Sequence, residues 1–170
     1  MTSPSNSTPS GIDPRGPRFG AGVTAVVLLV VIALGLSTAT VATPFAQGLD
    51  SPAFILFAVL VLLWGWGALA SIRRHPFGLV FRKLLRPRLK PPAFLEDPAP
   101  PTFAQGVGLL IGLAGLVLDL AGIRYGLVAA ASAAFVAAFL NSVFGYCLGC
   151  QLYLLLLRAG LIRVRTGGSA

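Results

Sequence analysis

Four long apolar runs, separated by short polar or basic segments, dominate the sequence. They cover residues 19–43, 53–72, 103–123 and about 125–157. Crossing a bilayer as an α-helix takes about 20 predominantly apolar residues, and each of the four runs reaches that length. The pattern therefore predicts an all-α membrane protein with four transmembrane helices.

The fourth run is longer than one simple span requires, so we expect the helix to be broken. Asn141, Gly145 and Gly149 mark where the break is expected. We predict a span over 125–144 and a separate short helix over 146–158 that lies at the membrane interface or dips into it. A fifth span is the alternative, although about a dozen residues are short for one.

The segments that precede the first and third runs share a pattern. Residues 13–23 and 97–107 both follow D-P-x-x-P-x-F-x-x-G-V, at an offset of 84 residues. Since each copy continues through two spans, the pattern predicts two parallel-duplicated helical hairpins, each followed by a short juxtamembrane helix. Two later pairs match as well: Phe77-Gly78 with Phe144-Gly145, and Leu84-Leu85-Arg86 with Leu156-Leu157-Arg158. Their spacing predicts an insertion of 5 residues in the second half, next to the cysteines.

The repeat also sets the predicted domain organisation. One integral membrane domain is expected over 12–160, with repeat 1 at about 12–90 and repeat 2 at about 96–160. Residues 1–11, rich in Ser, Thr, Pro and Asn, are expected to form a disordered tail, and 161–170 a second tail. A cleaved signal peptide is disfavoured, because cleavage would remove one span from the first half only.

Composition and charge strengthen the membrane assignment and add an orientation. Hydrophobic residues make up 56% of the chain and charged residues 11%, too few charges to cover a water-soluble surface. The net charge is +8, but the basic residues cluster between the apolar runs, which argues against nucleic-acid binding. In a four-span arrangement 12 of the 13 basic residues fall on one side, and Arg124 is the exception. The positive-inside rule predicts a bacterial plasma (inner) membrane protein with both termini cytoplasmic.

Small residues recur at helical spacing in spans three and four. Gly108 and Gly112 form a G-x-x-x-G pair, while span four carries Gly126, Ala130, Ala134 and Ala138. Because small residues let helix backbones approach closely in lipid, we expect these two faces to pack together. A homodimer through one of the faces is left open.

The chain has two cysteines, Cys147 and Cys150, spaced as C-x-x-C. At i and i+3 on a helix, both sulfurs lie on one face. If Gly145 breaks the chain, Cys147 falls in the first turn of the following helix, where a helix N-terminus stabilises the thiolate. Cys147 and Cys150 are therefore the candidate redox or sulfur-relay pair, as nucleophile and resolving thiol. Asn141, Gly145 and Gly149 are the candidate supporting residues.

Other interpretations of the pair remain open. Two cysteines can pack as small apolar residues without reacting. A structural zinc site needs four ligands, and one chain offers only Cys147, Cys150 and the distant His75, which is expected to flank the membrane at headgroup level. A dimer that pools four sulfurs would be needed to hold a metal, and no cofactor is predicted. Transport of a small sulfur compound is disfavoured, because little polar lining is visible.

Three segments carry a resemblance to a known family. They are DPAPPTFAQGVG, HPFGLVFRKLLRPRL and FLNSVFGYCLGCQLYLLL, and over residues 12–158 the chain resembles bacterial, mainly actinobacterial, integral membrane proteins of domain of unknown function 4395. Cys147 and Cys150 match the family's C-L-G-C positions, whereas Gln151 stands where relatives often carry an acid. The family's genetic association with thioredoxin-like proteins and rhodanese-type sulfurtransferases implies a role in sulfur handling.

These observations lead to a functional hypothesis with two alternatives. The hypothesis is a cytoplasm-facing dithiol, Cys147 and Cys150, that exchanges electrons or sulfane sulfur with a soluble thioredoxin-like or rhodanese-type partner. The alternatives are a structural or assembly subunit with inert cysteines and a transporter of small sulfur compounds. Whether the protein is an enzyme is left undecided, and the bilayer is its other expected partner.

Overall fold

In the computed structural model of this chain, residues 11–38 and 49–162 are described, so the predicted tails fall almost wholly outside the described residues. The described part is helical, apart from one isolated backbone bridge. Its α-helices are α1 Arg15–Thr38, α2 Pro52–Ala70, α3 Pro76–Val80, α4 Ala99–Leu120, α5 Gly126–Phe144 and α6 Leu148–Arg158. α1, α2, α4 and α5 are long and apolar enough to cross a membrane. The prediction of an all-α membrane protein with four candidate spans is confirmed.

The repeated D-P segments are the starts of helices. The Asp13 carboxylate accepts a hydrogen bond from the backbone N–H of Arg15 at 3.0 Å, and the Asp97 carboxylate accepts one from Ala99 at 2.8 Å. Each acid thereby satisfies a backbone donor that has no partner within its helix, and the proline that follows it suits a helix start. The recurrence of D-P in the sequence thus reflects local helix-start chemistry.

The four long helices form a closed ring of contacts. α1 packs against α5 and α2, and α4 packs against α2 and α5. Phe57, Leu28 and Val31 are the largest fully buried side chains of the resulting core. The contact order is unchanged when the first hairpin is exchanged for the second, as a duplicated hairpin requires. The duplication itself stays a prediction from the sequence.

The isolated bridge joins two residues at the repeat offset. Ile12 donates to the Glu96 carbonyl at 2.8 Å, and Glu96 donates to the Ile12 carbonyl at 2.9 Å. Their separation of 84 residues equals the separation of the first residues of α1 and α4. Residues meet their own counterparts where a twofold axis passes between them. The bridge therefore lies where an axis relating the two halves would run.

A short helix follows the second span of each half. α3 continues through a π-helical turn at Phe81–Leu85, and α6 is 11 residues long. At 1.5 Å per residue α6 reaches only about 17 Å, roughly half of a bilayer core, so a fifth span is excluded. Each short segment packs on the first span of its own half. The Phe81 ring lies 6.0 Å from Phe19, and the Tyr153 ring lies 5.5 Å from Phe103.

The predicted insertion in the second half is wrong. Phe77-Gly78 lies inside α3, whereas Phe144-Gly145 ends α5, so the two dipeptides belong to different elements. The starts of α2 and α5 are 74 residues apart, and those of α3 and α6 are 72 apart. The second half is thus shorter than the first. The match misled because Phe-Gly occurs inside a helix in one half and at a helix end in the other.

The small residues of α4 contact two neighbours rather than one. Gly108 and Gly112 face the Trp64 indole of α2, to which added Cβ atoms would lie 3.2 Å and 3.0 Å away. The close approach to α5 comes one turn later, where a Cβ on Gly115 would lie 2.5 Å from that of Ala130. The G-x-x-x-G face therefore packs on span two and not, as expected, on span four.

Candidate thiol site and the cavity beside it

The turn between α5 and α6 positions the cysteines. Gly145 has a φ of 67°, a left-handed conformation that favours glycine, and its N–H donates to the Asn141 carbonyl at 3.1 Å. Tyr146 donates to the Leu140 carbonyl at 3.1 Å. These two bonds close the end of α5 and reverse the chain, so α6 begins within a few residues. The helix ends at the glycine where the sequence predicts the break.

Cys147 caps the N-terminus of α6. Its Sγ accepts a hydrogen bond from the backbone N–H of Cys150 at 3.2 Å. The two sulfurs are joined in a disulfide, with Cα atoms 5.2 Å apart. The structure therefore brings the two predicted residues together, with Cys147 one position before the first turn in which it was expected. Both side chains are half-buried.

Gly149 lets α6 approach α4 closely. A Cβ at this position would lie 2.5 Å from Cβ and 2.7 Å from Cα of Ala104, distances that real side chains do not tolerate. The supporting role predicted for Gly149 thus has a steric basis. The helix that carries the thiols is docked at its first turn by backbone contact.

A basic side chain lies against the turn before the cysteines. The Arg18 guanidinium covers Gly145, whose added Cβ would fall 2.5 Å from Nη2 and 2.6 Å from Cζ. Positive charge and a helix N-terminus are the two features that stabilise a thiolate. Sequence reasoning treated Arg18 only as a charge beside the membrane, since nothing in its spacing points to Gly145, more than a hundred residues away.

All four spans surround a cavity of about 710 Å³ beside the thiol site. Thr24, Trp64, Ile111 and Ala134 contribute to its wall from α1, α2, α4 and α5 respectively. Cys147 and Asn141 line it as well. The structure thereby places one of the supporting residues, Asn141, on the same cavity wall as the candidate nucleophile.

The cavity wall also carries polar groups, which corrects the expectation of little polar lining. Thr24 is buried, and Gln105 and Asn141 are half-buried. The Gln105 Oε1 atom is buried and has no hydrogen-bond partner among the described residues. The remainder is largely glycine, alanine and branched aliphatic residues, and their small size leaves the space open.

His75 is the most deeply buried polar side chain on this wall, at 4% exposure. Its Nδ1 accepts a hydrogen bond from the N–H of Phe77 at 3.3 Å and so caps α3. Burial lowers the pKa of His75, and the nearby Leu63 carbonyl opposes that shift only partly. The ring is therefore neutral at pH 7 with its proton on Nε2, which has no partner in hydrogen-bond geometry among the described residues. The expectation of a headgroup-level flank is wrong.

His75 and Cys147 occupy corresponding places in the two halves. Each is the N-cap of the short helix that follows the second span, and the helices they cap start 72 residues apart. Both residues line the same cavity. Sequence reasoning missed this correspondence because the mistaken match at Phe77-Gly78 shifted the alignment by five residues.

A metal site within one chain finds no support around the cysteines. Across residues 11–38 and 49–162, no three His, Cys, Asp or Glu side chains are grouped closely enough to hold an ion.

Comparison with known proteins identifies one family. The family described as Domain of unknown function (DUF4395) matches residues 12–158. No curated protein and no solved structure matches the chain. The match covers all six helices and the candidate thiol site.

Proposed function

This chain belongs to the family described as Domain of unknown function (DUF4395), and we propose that it is a membrane-embedded thiol exchanger in which Cys147 is the nucleophile and Cys150 the resolving thiol. The observation that carries the proposal is the position of Cys147 at the N-cap of α6, with its sulfur directed at the N–H of Cys150. A sulfur that accepts hydrogen bonds at a helix N-terminus is stabilised as the thiolate, the form that attacks disulfides.

The exchange reaction balances without a cofactor. A thiolate of a reduced partner attacks the Cys147–Cys150 disulfide, forms a mixed disulfide and releases one of the pair as thiolate. The partner's second thiol then displaces that cysteine, so the partner leaves oxidised and the pair stays reduced with two electrons and the accompanying protons. In the reverse direction, the Cys147 thiolate attacks the partner's disulfide, and Cys150 resolves the mixed disulfide.

Sulfane sulfur transfer is the second reaction open to the same nucleophile. The Cys147 thiolate attacks the outer sulfur of a partner's persulfide, the partner's thiolate leaves, and Cys147 becomes the persulfide. Attack by Cys150 on the inner sulfur of Cys147 would release hydrosulfide and form the disulfide. A soluble thioredoxin-like or rhodanese-type protein is the proposed partner.

The supporting residues have distinct proposed roles. Gly145 provides the left-handed turn that starts α6 next to the end of α5. Gly149 allows α6 to dock on Ala104, and Asn141 anchors the turn through its carbonyl while lining the cavity. Arg18 adds a positive charge beside the turn. All four are positioning residues in this proposal.

The proposed location is the bacterial plasma membrane, with both termini and the thiol site on the cytoplasmic side. The support is the basic residues, 12 of 13 of which fall on the side of the bundle where α1 begins and α5 ends. A periplasm-active reporter fused to the C-terminus should be silent. Activity of that reporter would overturn the orientation, and the proposed cytoplasmic partner with it.

Alkylation kinetics of the reduced protein test the thiol chemistry. Cys150→Ser leaves Cys147 alone, and Cys147→Ser leaves Cys150 alone. We expect Cys147 to be alkylated faster than Cys150, with a pH midpoint below the value of about 8.5 for an ordinary cysteine. Equal rates with an ordinary midpoint, together with no disulfide exchange with a soluble thioredoxin, would leave the structural alternative with inert cysteines.

A further inference from the structure

We propose that the cavity among the four spans binds a lipid-soluble quinone, which takes two electrons from the reduced Cys147–Cys150 pair. The electron transfer rests on the proposed thiol function, whereas the binding rests on the cavity alone. Size and position support a small-molecule site. The volume of about 710 Å³ falls within the usual range for ligand pockets, and the wall is mostly apolar with a few polar groups.

The polar groups of the cavity suit neutral carbonyl oxygens. His75 presents a buried neutral Nε2–H without an acceptor in hydrogen-bond geometry among the described residues. An unsatisfied buried donor is unfavourable, and an oxygen atom of a ligand would remove that penalty. Thr24 and the Asn141 side chain lie on the same wall and can serve a second carbonyl. A quinone ring carries two such oxygens and no charge.

Charged residues on the cavity wall do not favour an anion in its interior. Arg73 and Arg86 are solvent-exposed, so their charges lie toward its opening. The carboxylate of Asp13 is held by Arg15 at 2.8 Å. The residues that lie deep in the wall, His75 and Thr24, are uncharged. An amphiphilic anion that uses the arginines is therefore the competing occupant, and the experiment below separates the two.

The corresponding caps give the cavity two different chemistries. Cys147 enters it from the second half and His75 from the first. In the proposed step the two thiols lose two electrons and two protons, the sulfur–sulfur bond forms, and the quinone is reduced to the quinol. His75 acts as a positioning residue that donates a hydrogen bond to one carbonyl oxygen and strengthens as that oxygen gains electron density.

Binding is tested on the full-length protein in lipid nanodiscs, with decylubiquinone as the probe. Its ring is fully substituted, so thiols cannot add to an open ring position. Because Trp64 lines the cavity, saturable quenching of tryptophan fluorescence is the expected readout. His75→Asn keeps a side-chain acceptor for the α3 cap but lacks a donor at the Nε2 position, and it should weaken Kd about five- to tenfold. Arg74→Asn, at an exposed position outside the cavity wall, is the matched control and should bind normally.

Electron transfer is tested anaerobically on the reduced protein. We expect one quinol formed and two thiols lost per chain, with none formed by Cys147→Ser. Absence of saturable binding would overturn the site, and an unchanged Kd in His75→Asn would overturn the role of His75. Displacement by oleate without any binding of decylubiquinone would assign the cavity to an anionic amphiphile. Binding without quinol formation, in a protein that still exchanges disulfides with thioredoxin, would refute the electron transfer and leave the thiol function standing.

Discussion

Replacing Gly149 with alanine should loosen the attachment of α6 to α4. The added Cβ would lie 2.5 Å from the Ala104 Cβ and 2.7 Å from its Cα, and the atoms it meets belong to a backbone-bound methyl group that cannot rotate away. Overpacking of this kind costs about 1–3 kcal/mol. Removal of glycine from a helix returns about 0.5–1 kcal/mol. A net loss of about 1–2 kcal/mol corresponds to a factor of roughly 5–30 in the docking equilibrium of α6.

Amide hydrogen exchange of the 148–158 segment measures that equilibrium directly. In Gly149→Ala the segment should exchange about ten times faster, because its local opening becomes more favourable. The cores of α1 and α5 should keep their protection. Gly106→Ala is the matched control, since a Cβ there meets only the Ala68 Cβ, at an ordinary distance of 4.0 Å, and its exchange should stay at the wild-type rate.

A compensating change decides whether the clash is the cause. Combining Gly149→Ala with Ala104→Gly removes the methyl group that the new side chain meets, so protection of α6 should return. The first half already uses that arrangement, with Gly20 on the span against the Cβ of Phe77 at 3.5 Å. If Gly149→Ala leaves exchange unchanged, or if the double variant is no better than the single one, the steric account of Gly149 is refuted.

Further changes test the helix ends and the buried titratable groups. Gly145→Ala places a side chain at φ 67° and against Arg18, so the free energy of unfolding should fall by at least about 1–2 kcal/mol in a thermal melt, with Gly106→Ala unaffected. Ser51→Ala removes the oxygen that accepts from the N–H of Phe54 at 3.1 Å, so stability should drop by about 1 kcal/mol, and Ser51→Asn should restore most of it. The hydrogen bond from Arg15 lowers the pKa of Asp13, so its contribution is present above about pH 3.9 and lost as pH falls below that; Asp13→Asn should remove this part of the acid sensitivity of unfolding. Burial lowers the pKa of His75, so stability should fall as pH drops through about 6.5, and a profile that His75→Asn leaves unchanged would contradict the buried neutral ring.

The features that sequence reasoning found are those governed by local chemistry. The span count follows from apolar length, because each long helix must match the thickness of a bilayer. The helix starts at Asp13 and Asp97 and the break at Gly145 follow from capping and from the left-handed turn, both of which depend on a few adjacent residues. The placement of Cys147 at the start of α6 then follows from the break.

The features that sequence reasoning missed are decided by contacts between distant segments. A G-x-x-x-G face states that some neighbour comes close, but not which one, and Trp64 of α2 is the residue that Gly108 and Gly112 contact. His75 sits in a basic segment that looks interfacial, yet the turn after α2 folds its ring into the bundle. Such outcomes need the packing of whole helices, which periodicity along one chain does not contain.

The corresponding caps locate chemistry where the two halves differ. The short helices dock on their spans by opposite choices of size, with glycine on the span at Gly20 and on the short helix at Gly149. At the cap between span and short helix the residue is a histidine in one half and a cysteine in the other, and both line one cavity. If the caps served only to start helices, a common capping residue such as Ser, Asp or Asn would suit both places. The use of a buried imidazole in one half and a thiol in the other is therefore better explained by what the two groups do to a shared ligand than by the needs of the helices.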